Sequence, residues 1–194
     1  MTPQEYQTAC MRTASPVSRA TNDNLRMQGA MGLCGETAEL LEAISSGMED
    51  ERSAWSGRIV NELGDVLWYA ATTAQSIDSD FADLFFDGVY WKAVKEPLTP
   101  LGFTNLKSRM EVHATYMMRA AGQLIDSVKK ETFQGHPADY GTTALVISII
   151  LGHASILAGH LRLSLEDVAE ANIEKLRARY PEGFEAIRST DRKE

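Results

Sequence analysis

The strongest constraint in this sequence is a pair of acidic couples set where helices would ordinarily bury themselves. Gly35-Glu-Thr-Ala-Glu-Leu-Leu-Glu-Ala43 carries Glu36 and Glu39, and Asn61-Glu-Leu-Gly-Asp-Val-Leu-Trp-Tyr69 carries Glu62 and Asp65. Each couple is spaced i, i+3, so on a helix its carboxylates share one face, about 60° apart and one turn along the axis. The stripe through the first couple is otherwise small and apolar: Gly29, Gly32, Leu33, Leu40 and Ala43. The stripe through the second holds Ile59, Val66 and Tyr69. Such a stripe is unusual for a purely solvated acidic face, which, with no metal bound, is the alternative for these four acids. Two such helices packed antiparallel converge four carboxylates on one small volume. At about 4 Å and an effective dielectric near 20, each like-charge contact there costs roughly 4 kcal/mol. A cluster of this kind needs cations, and carboxylate oxygens suit Mg²⁺ or Mn²⁺.

Helix signals continue along the rest of the chain. Thr2-Pro-Gln-Glu5 forms a capping box with proline in the first turn and predicts a short helix to about Thr13. Thr21 to Asn24 offer caps for a long helix over about 25–46, stopped by Gly47. A polar loop with Trp55 and Gly57 then leads to a helix over about 58–76. Asp80 opens a short aromatic helix through Phe85, Phe86, Tyr90 and Trp91, ending near Pro97 to Pro100. Thr104 caps a helix to about Lys130, Gln134-Gly-His-Pro137 forms a loop, and a further helix spans about 142–161. Ser164-Leu-Glu-Asp167 starts a last helix running to Tyr180. No strand pattern emerges, so the expected fold is an all-α helical bundle.

A chain of 194 residues is long enough for one domain with a sizeable core. The formal net charge of -8 argues against a broad nucleic-acid or anionic-membrane surface. It leaves room for a small anionic ligand held through metal. Cys10 and Cys34 form no disulfide framework and read as small buried hydrophobes. The apolar stretch 144–163 is interrupted by polar residues and reads as a core helix. No nucleic acid and no membrane are expected as partners, and a cytoplasmic, reducing location is the default. The four histidines, His113, His136, His153 and His160, show no ligand spacing with the acids. His153 and His160 are expected to be packed or hydrogen-bonded. No phosphate loop, dinucleotide fingerprint or nucleophilic triad signature is present.

Offsetting the chain by 84 positions reproduces its layout without a gap, with 11 identical pairs among the first 84 residues. Tyr6 falls on Tyr90, Pro16 on Pro100, Leu40 on Leu124, Leu67 on Leu151 and Asp83 on Asp167. The expectation is an internal duplication, with a first unit over about 1–103 and a degenerate second over about 104–184. Glu36, Glu39, Glu62 and Asp65 map onto Ala120, Gln123, Val146 and Ile149. Any metal site would then exist once per chain.

Glu36-Thr-Ala-Glu39 on one helix and Glu62-Leu-Gly-Asp65 on the next resemble the MazG-like all-α nucleoside triphosphate pyrophosphohydrolases. Ser164-Leu-Glu-Asp-Val-Ala-Glu-Ala-Asn172-Ile-Glu-Lys175-Leu-Arg-Ala-Arg179-Tyr-Pro-Glu-Gly-Phe184 resembles the closing helix of that family, and Tyr6-Gln-Thr-Ala-Cys-Met-Arg12-Thr13 its opening. The single-site duplicated arrangement resembles the linked dimeric deoxyuridine triphosphatases. The resemblance implies hydrolysis of a (deoxy)nucleoside triphosphate to the monophosphate and pyrophosphate. It implies two or three Mg²⁺ or Mn²⁺ ions on Glu36, Glu39, Glu62 and Asp65, with Glu39 and Glu36 as catalytic carboxylates and Glu39 as proton acceptor. Asn172, Lys175 and Arg179 are the substrate-binding candidates, against the alternative of an ordinary charged helix face. Asp87, Lys92 and Lys95 are alternatives for completing the site. Trp68, with Tyr69 and Trp55 nearby, is the candidate base contact, against the alternative of a core aromatic. A looser likeness to small phage-type members points to guanine (dGTP). Deoxyuridine triphosphate is the alternative substrate, and a catalytically silent nucleotide-binding or helical interaction module the alternative of another class. Apolar residues on the shorter helices suggest a homo-oligomer, a dimer or tetramer.

Overall fold

The computed structural model describes residues 1–46, 52–85 and 106–190, and among them every regular element is helical. The helices are α1 (Pro3–Thr13), α2 (Asn22–Ser45), α3 (Arg52–Gln75), α4 (Leu106–Gln134), α5 (Tyr140–His160), α6 (Leu165–Arg179) and α7 (Ala186–Thr190), with 3₁₀ turns at Ser18–Ala20 and Phe81–Leu84. The expected starts are present. Thr2 and Glu5 form a reciprocal capping box on α1, and Ser164 and Asp167 form one on α6. Thr21 caps α2 through the Asn24 amide, and Asp139 caps α5 through the Thr142 amide.

Four long helices form a ring in the order α2, α3, α5, α4, each packing on its two neighbours. The hairpin α2–α3 is antiparallel: Gly29 meets Thr73, Gly32 meets Tyr69, and the Trp55 indole donates to the Ile44 carbonyl at 3.3 Å. This register places Glu36 across from Asp65 and Glu39 across from Glu62. The second hairpin, α4–α5, is antiparallel too, with Tyr116 stacked on His153 at 5.1 Å. Those two residues stand 84 positions after Gly32 and Tyr69. On the outer side of α3, α1 and α6 pack against it and against each other. The Met1 ammonium meets Glu166 and Glu170 at one end of α1, and Arg12 donates to the Tyr180 and Pro181 carbonyls at the other.

Two expectations change. Trp55 lies inside α3, not on a loop, and is 1 % exposed. Gly57 suggested a break, but nothing lies within 4 Å of where its Cβ would be, and an open helical site bears glycine at about 1 kcal/mol. The aromatic helix expected after Asp80 begins as a 3₁₀ turn that buries Phe81 and Leu84; its continuation through Phe86, Tyr90 and Trp91 lies outside the described residues. α5 is long and apolar enough to cross a membrane by composition alone. In this fold it is a core helix, with Val146, Ile147, Ile150, Leu151, Ala154, Leu157 and Ala158 buried.

Candidate active site

Glycines set the spacing of the hairpin that carries the acids. A Cβ on Gly29 would sit 2.0 Å from Thr73 Oγ1, and one on Gly32 would sit 2.1 Å from Tyr69 Cε1. Gly29 therefore seats the Thr73 side chain, and Gly32 the Tyr69 ring, directly on the α2 backbone beside the acidic couples. Glu36, Glu62 and Asp65 each offer an oxygen, and these three oxygens lie within 4.8 Å of one another. All three residues are partly buried, whereas Glu39 is exposed and lines the same pocket from its rim. The like charges and the burial act together. Burial foremost, then Asp65, Glu39 and Glu62, push the Glu36 carboxyl up to about 7. Glu62 is raised for the same kind of reason, burial first and then Asp65 and Glu39.

Asp65 is held from α6. Lys175 Nζ lies 2.7 Å from both Asp65 oxygens, and Asn172 Nδ2 donates to Oδ1 at 3.1 Å. Gly64 makes this approach possible, since a Cβ there would lie 2.9 Å from the Asn172 Cβ. Asn172 is 3 % exposed and in turn accepts from the Tyr6 hydroxyl at 3.0 Å. The structure thus brings Asn172 and Lys175 to the acids; Asp87, Lys92 and Lys95 lie outside the described residues.

The pocket above the acids measures about 370 Å³, enough for a nucleotide-sized ligand. Its walls include Lys175 and Arg179 from α6, Tyr69 from α3, and Tyr180 and Phe184 from the turn after α6. Gly183, at φ +105°, makes that turn, and the Tyr180 and Phe184 rings lie 5.6 Å apart. Trp68 also lines the pocket but is only 9 % exposed. Its indole N–H donates to Thr13 Oγ1 at 2.9 Å, and its ring meets Tyr69 edge-on at 4.8 Å. Trp68 therefore stands as a wall with its polar edge already occupied. Trp55 is absent from this pocket and packs at the far end of the hairpin.

Sequence reasoning did not single out Tyr6, Gly64, Tyr180 and Phe184 as parts of this site. Tyr6 and Phe184 appeared only as family-like flanking letters. The available signal was the glycine directly before Asp65, which is costly in a helix interior and pointed to a close approach.

The donor set fits a hard divalent cation: three carboxylate oxygens from opposed helices, partly dehydrated and within 4.8 Å of one another. Asn172, buried behind Asp65, donates the kind of outer hydrogen bond that would orient this carboxylate toward a cation. The model of the MazG nucleotide pyrophosphohydrolase domain matches residues 28–90, a segment that contains all four acids. No curated protein and no solved structure matches the chain. Acids, hairpin register and family segment thus coincide: residues 28–90 are similar to the MazG nucleotide pyrophosphohydrolase domain, a family of hydrolases of phosphoric anhydrides.

Proposed function

We propose that this pocket hydrolyses a deoxynucleoside triphosphate to the monophosphate and pyrophosphate, using Mg²⁺ or Mn²⁺ on Glu36, Glu39, Glu62 and Asp65. The observation that carries the reading is the convergence of Glu36, Glu62 and Asp65 within 4.8 Å at the floor of a pocket walled by Lys175 and Arg179. Divalent ions at these oxygens supply charge screening for the triphosphate and acidify water. Lys175 and Arg179 bind the polyphosphate oxygens, Lys175 as a point charge and Arg179 through its planar fork. Glu39, at the exposed rim, accepts the proton of the attacking water and returns it to solvent. The water oxygen bonds to the α-phosphorus, and the bond from that phosphorus to the bridging oxygen breaks, releasing pyrophosphate. Tyr69, Tyr180 and Phe184 form the aromatic wall for the base, with Trp68 behind Tyr69. Guanine is the first base to test, on the strength of the phage-type likeness.

Two further readings belong to this proposal. The α4–α5 hairpin is a degenerate copy of α2–α3, supported by the helix ranges and by the Tyr116–His153 contact at the positions of Gly32 and Tyr69. The chain self-associates as a dimer or tetramer, supported by exposed Val17, Met31, Phe133 and Leu145. The enzymatic proposal is tested by incubating dGTP, dUTP and the other triphosphates with each metal and separating pyrophosphate from orthophosphate. Pyrophosphate release that collapses in Glu39→Ala and Asp65→Ala is expected. Absence of turnover, or turnover unchanged in both variants, overturns it.

A further inference from the structure

A buried tyrosine on a helix that contributes none of the clustered acids stands two hydrogen bonds away from Asp65. Tyr6 is fully buried in α1, 166 positions from the residue its hydroxyl serves. Its O–H donates to Asn172 Oδ1 at 3.0 Å and lies 3.4 Å from the Gly64 carbonyl. Asn172 then gives an N–H to Asp65 Oδ1 at 3.1 Å. Each link has a fixed polarity. An ionised carboxylate only accepts, so the Asn172 amide must turn its nitrogen toward Asp65. Its oxygen then faces the opposite way, into the core, where it needs a donor. The Tyr6 hydroxyl is that donor.

We infer that Tyr6 is a positioning residue: its hydroxyl fixes the Asn172 amide so that Asp65 is held, nitrogen toward carboxylate, in the orientation in which it ligates metal. The inference rests on the metal reading of the acids given above. Three observations make the arrangement more than an ordinary buried tyrosine contact. Gly64 has no Cβ, and one there would lie 2.9 Å from both Cβ and Nδ2 of Asn172, so the amide is seated in a cleft cut for it. Asn172 is 3 % exposed, which leaves its oxygen little access to solvent. α1 is anchored to α6 and to the turn after it at both ends, by the Met1 ammonium on Glu166 and Glu170 and by Arg12 on the Tyr180 and Pro181 carbonyls. The tyrosine is therefore carried on a strut whose distance from Asn172 is set from both sides. Without the hydroxyl, the amide keeps its bond to Asp65 only by leaving a buried oxygen unpaired; otherwise it turns and releases Asp65.

The test is Tyr6→Phe, which removes one oxygen and keeps the ring in the core. Calorimetric titration of the nucleotide-free protein with Mn²⁺ is expected to show binding weakened by about tenfold or more, the range usual for outer partners of a ligating group. Asn172→Ala is expected to weaken Mn²⁺ binding comparably, and Tyr6→Phe added to Asn172→Ala to weaken it no further. The core variant Val128→Ala, on α4 away from α1 and α6, is expected to lower the melting temperature and leave Mn²⁺ binding unchanged. Unaltered Mn²⁺ binding in Tyr6→Phe, or a full Tyr6→Phe effect persisting in the Asn172→Ala background, overturns the inference. A second readout is independent of metal: the side-chain amide protons of Asn172, followed by NMR in the metal-free protein. They are expected to exchange slowly in the parent and much faster in Tyr6→Phe. Equal exchange in both overturns the positioning role, whereas a parent protein that binds no Mn²⁺ yet shows the exchange difference overturns the metal reading alone.

Discussion

Lys175 provides the sharpest test of the site, because its removal should move three measurements in different directions. In the metal-free protein its ammonium lies 2.7 Å from both Asp65 oxygens and so stands where a cation would meet that carboxylate. At about 4 Å and an effective dielectric near 20 a single pair is worth roughly 4 kcal/mol. The side chains are 24 % and 30 % exposed, so solvent screening brings this to about 1–2 kcal/mol. An entering metal must overcome that contact. Lys175→Met keeps the aliphatic stem and removes the charge, so Mn²⁺ binding without nucleotide should tighten by roughly tenfold, since about 1.4 kcal/mol is a factor of ten. The KM for the triphosphate should rise by about tenfold or more as a charge-assisted phosphate contact disappears. In chelator the variant should melt below the parent, because the acidic cluster loses a counter-charge. Lys175→Arg, which retains the charge, should stay near the parent in metal affinity. Titration calorimetry, steady-state kinetics and thermal melts in chelator read the three effects. Mn²⁺ binding that weakens or stays constant in Lys175→Met refutes the competition argument.

Two further outcomes follow from the packing. Burial, and then the neighbouring His153 and His160, hold His113 down at about 4. A depressed value means that stability is whole above pH 6.5 and is lost as the pH falls through 4, by about 3 kcal/mol when fully titrated. Melts from pH 7.5 to 4 should show this loss, and His113→Leu should flatten it; an identical acid profile in the variant refutes the assignment. Gly32→Ala should destabilise by about 1–3 kcal/mol and weaken Mn²⁺ binding, because its Cβ would lie 2.1 Å from the Tyr69 ring. Gly35→Ala, three residues on with nothing within 4 Å, should be neutral or stabilising by up to about 1 kcal/mol. Denaturation midpoints that order the two variants the other way contradict the close-approach reading.

Local signals were legible where a single helix decides the outcome. Both capping boxes, the antiparallel acidic hairpin and the buried character of α5 could be read from spacing and composition. What escaped depends on which neighbour a helix acquires. Glu39 shares an i, i+3 face with Glu36 yet is exposed, because α2 is gripped by α4 as well as by α3. Its buried arc therefore includes Ala30, Thr37 and Ile44, a heptad series outside the acidic stripe. Trp55 looked like a loop residue because Gly57 and serines surround it, but its indole closes the hairpin onto Ile44. The Tyr6–Asn172 contact spans nearly the whole chain, and no periodicity encodes a partner that distant. The short helix α7 follows a glycine turn and buries none of its residues, so no apolar pattern announced it.

The placement of α6 gives the proposed duplication a consequence for how the site is built. Under that proposal the counterpart of Leu165–Val168, at the start of α6, is Phe81–Leu84, and the counterpart of α3 is α5. α6 packs on α3, and the 3₁₀ turn Phe81–Leu84 packs on α5. Under that proposal the second unit lends α6 to the first, whereas the turn Phe81–Leu84 packs on α1 and α3 of its own unit as well as on α5. The acids of the first unit are therefore completed by Lys175 and Asn172 of the second. Under that proposal, a second acidic site could be lost while the first is still completed by α6. The second hairpin needed to keep only its packing and the helix it lends, and carboxylates at positions 146 and 149 would have added like-charge repulsion to a helix whose Val146 is buried. With Val146 there instead, fully buried, α5 gains about 1.5–3 kcal/mol of apolar burial, and the half-buried Ile149 gains less. On the duplication proposal, the first unit would carry the acids and the second would supply Lys175, whose ion pair with Asp65 joins the two.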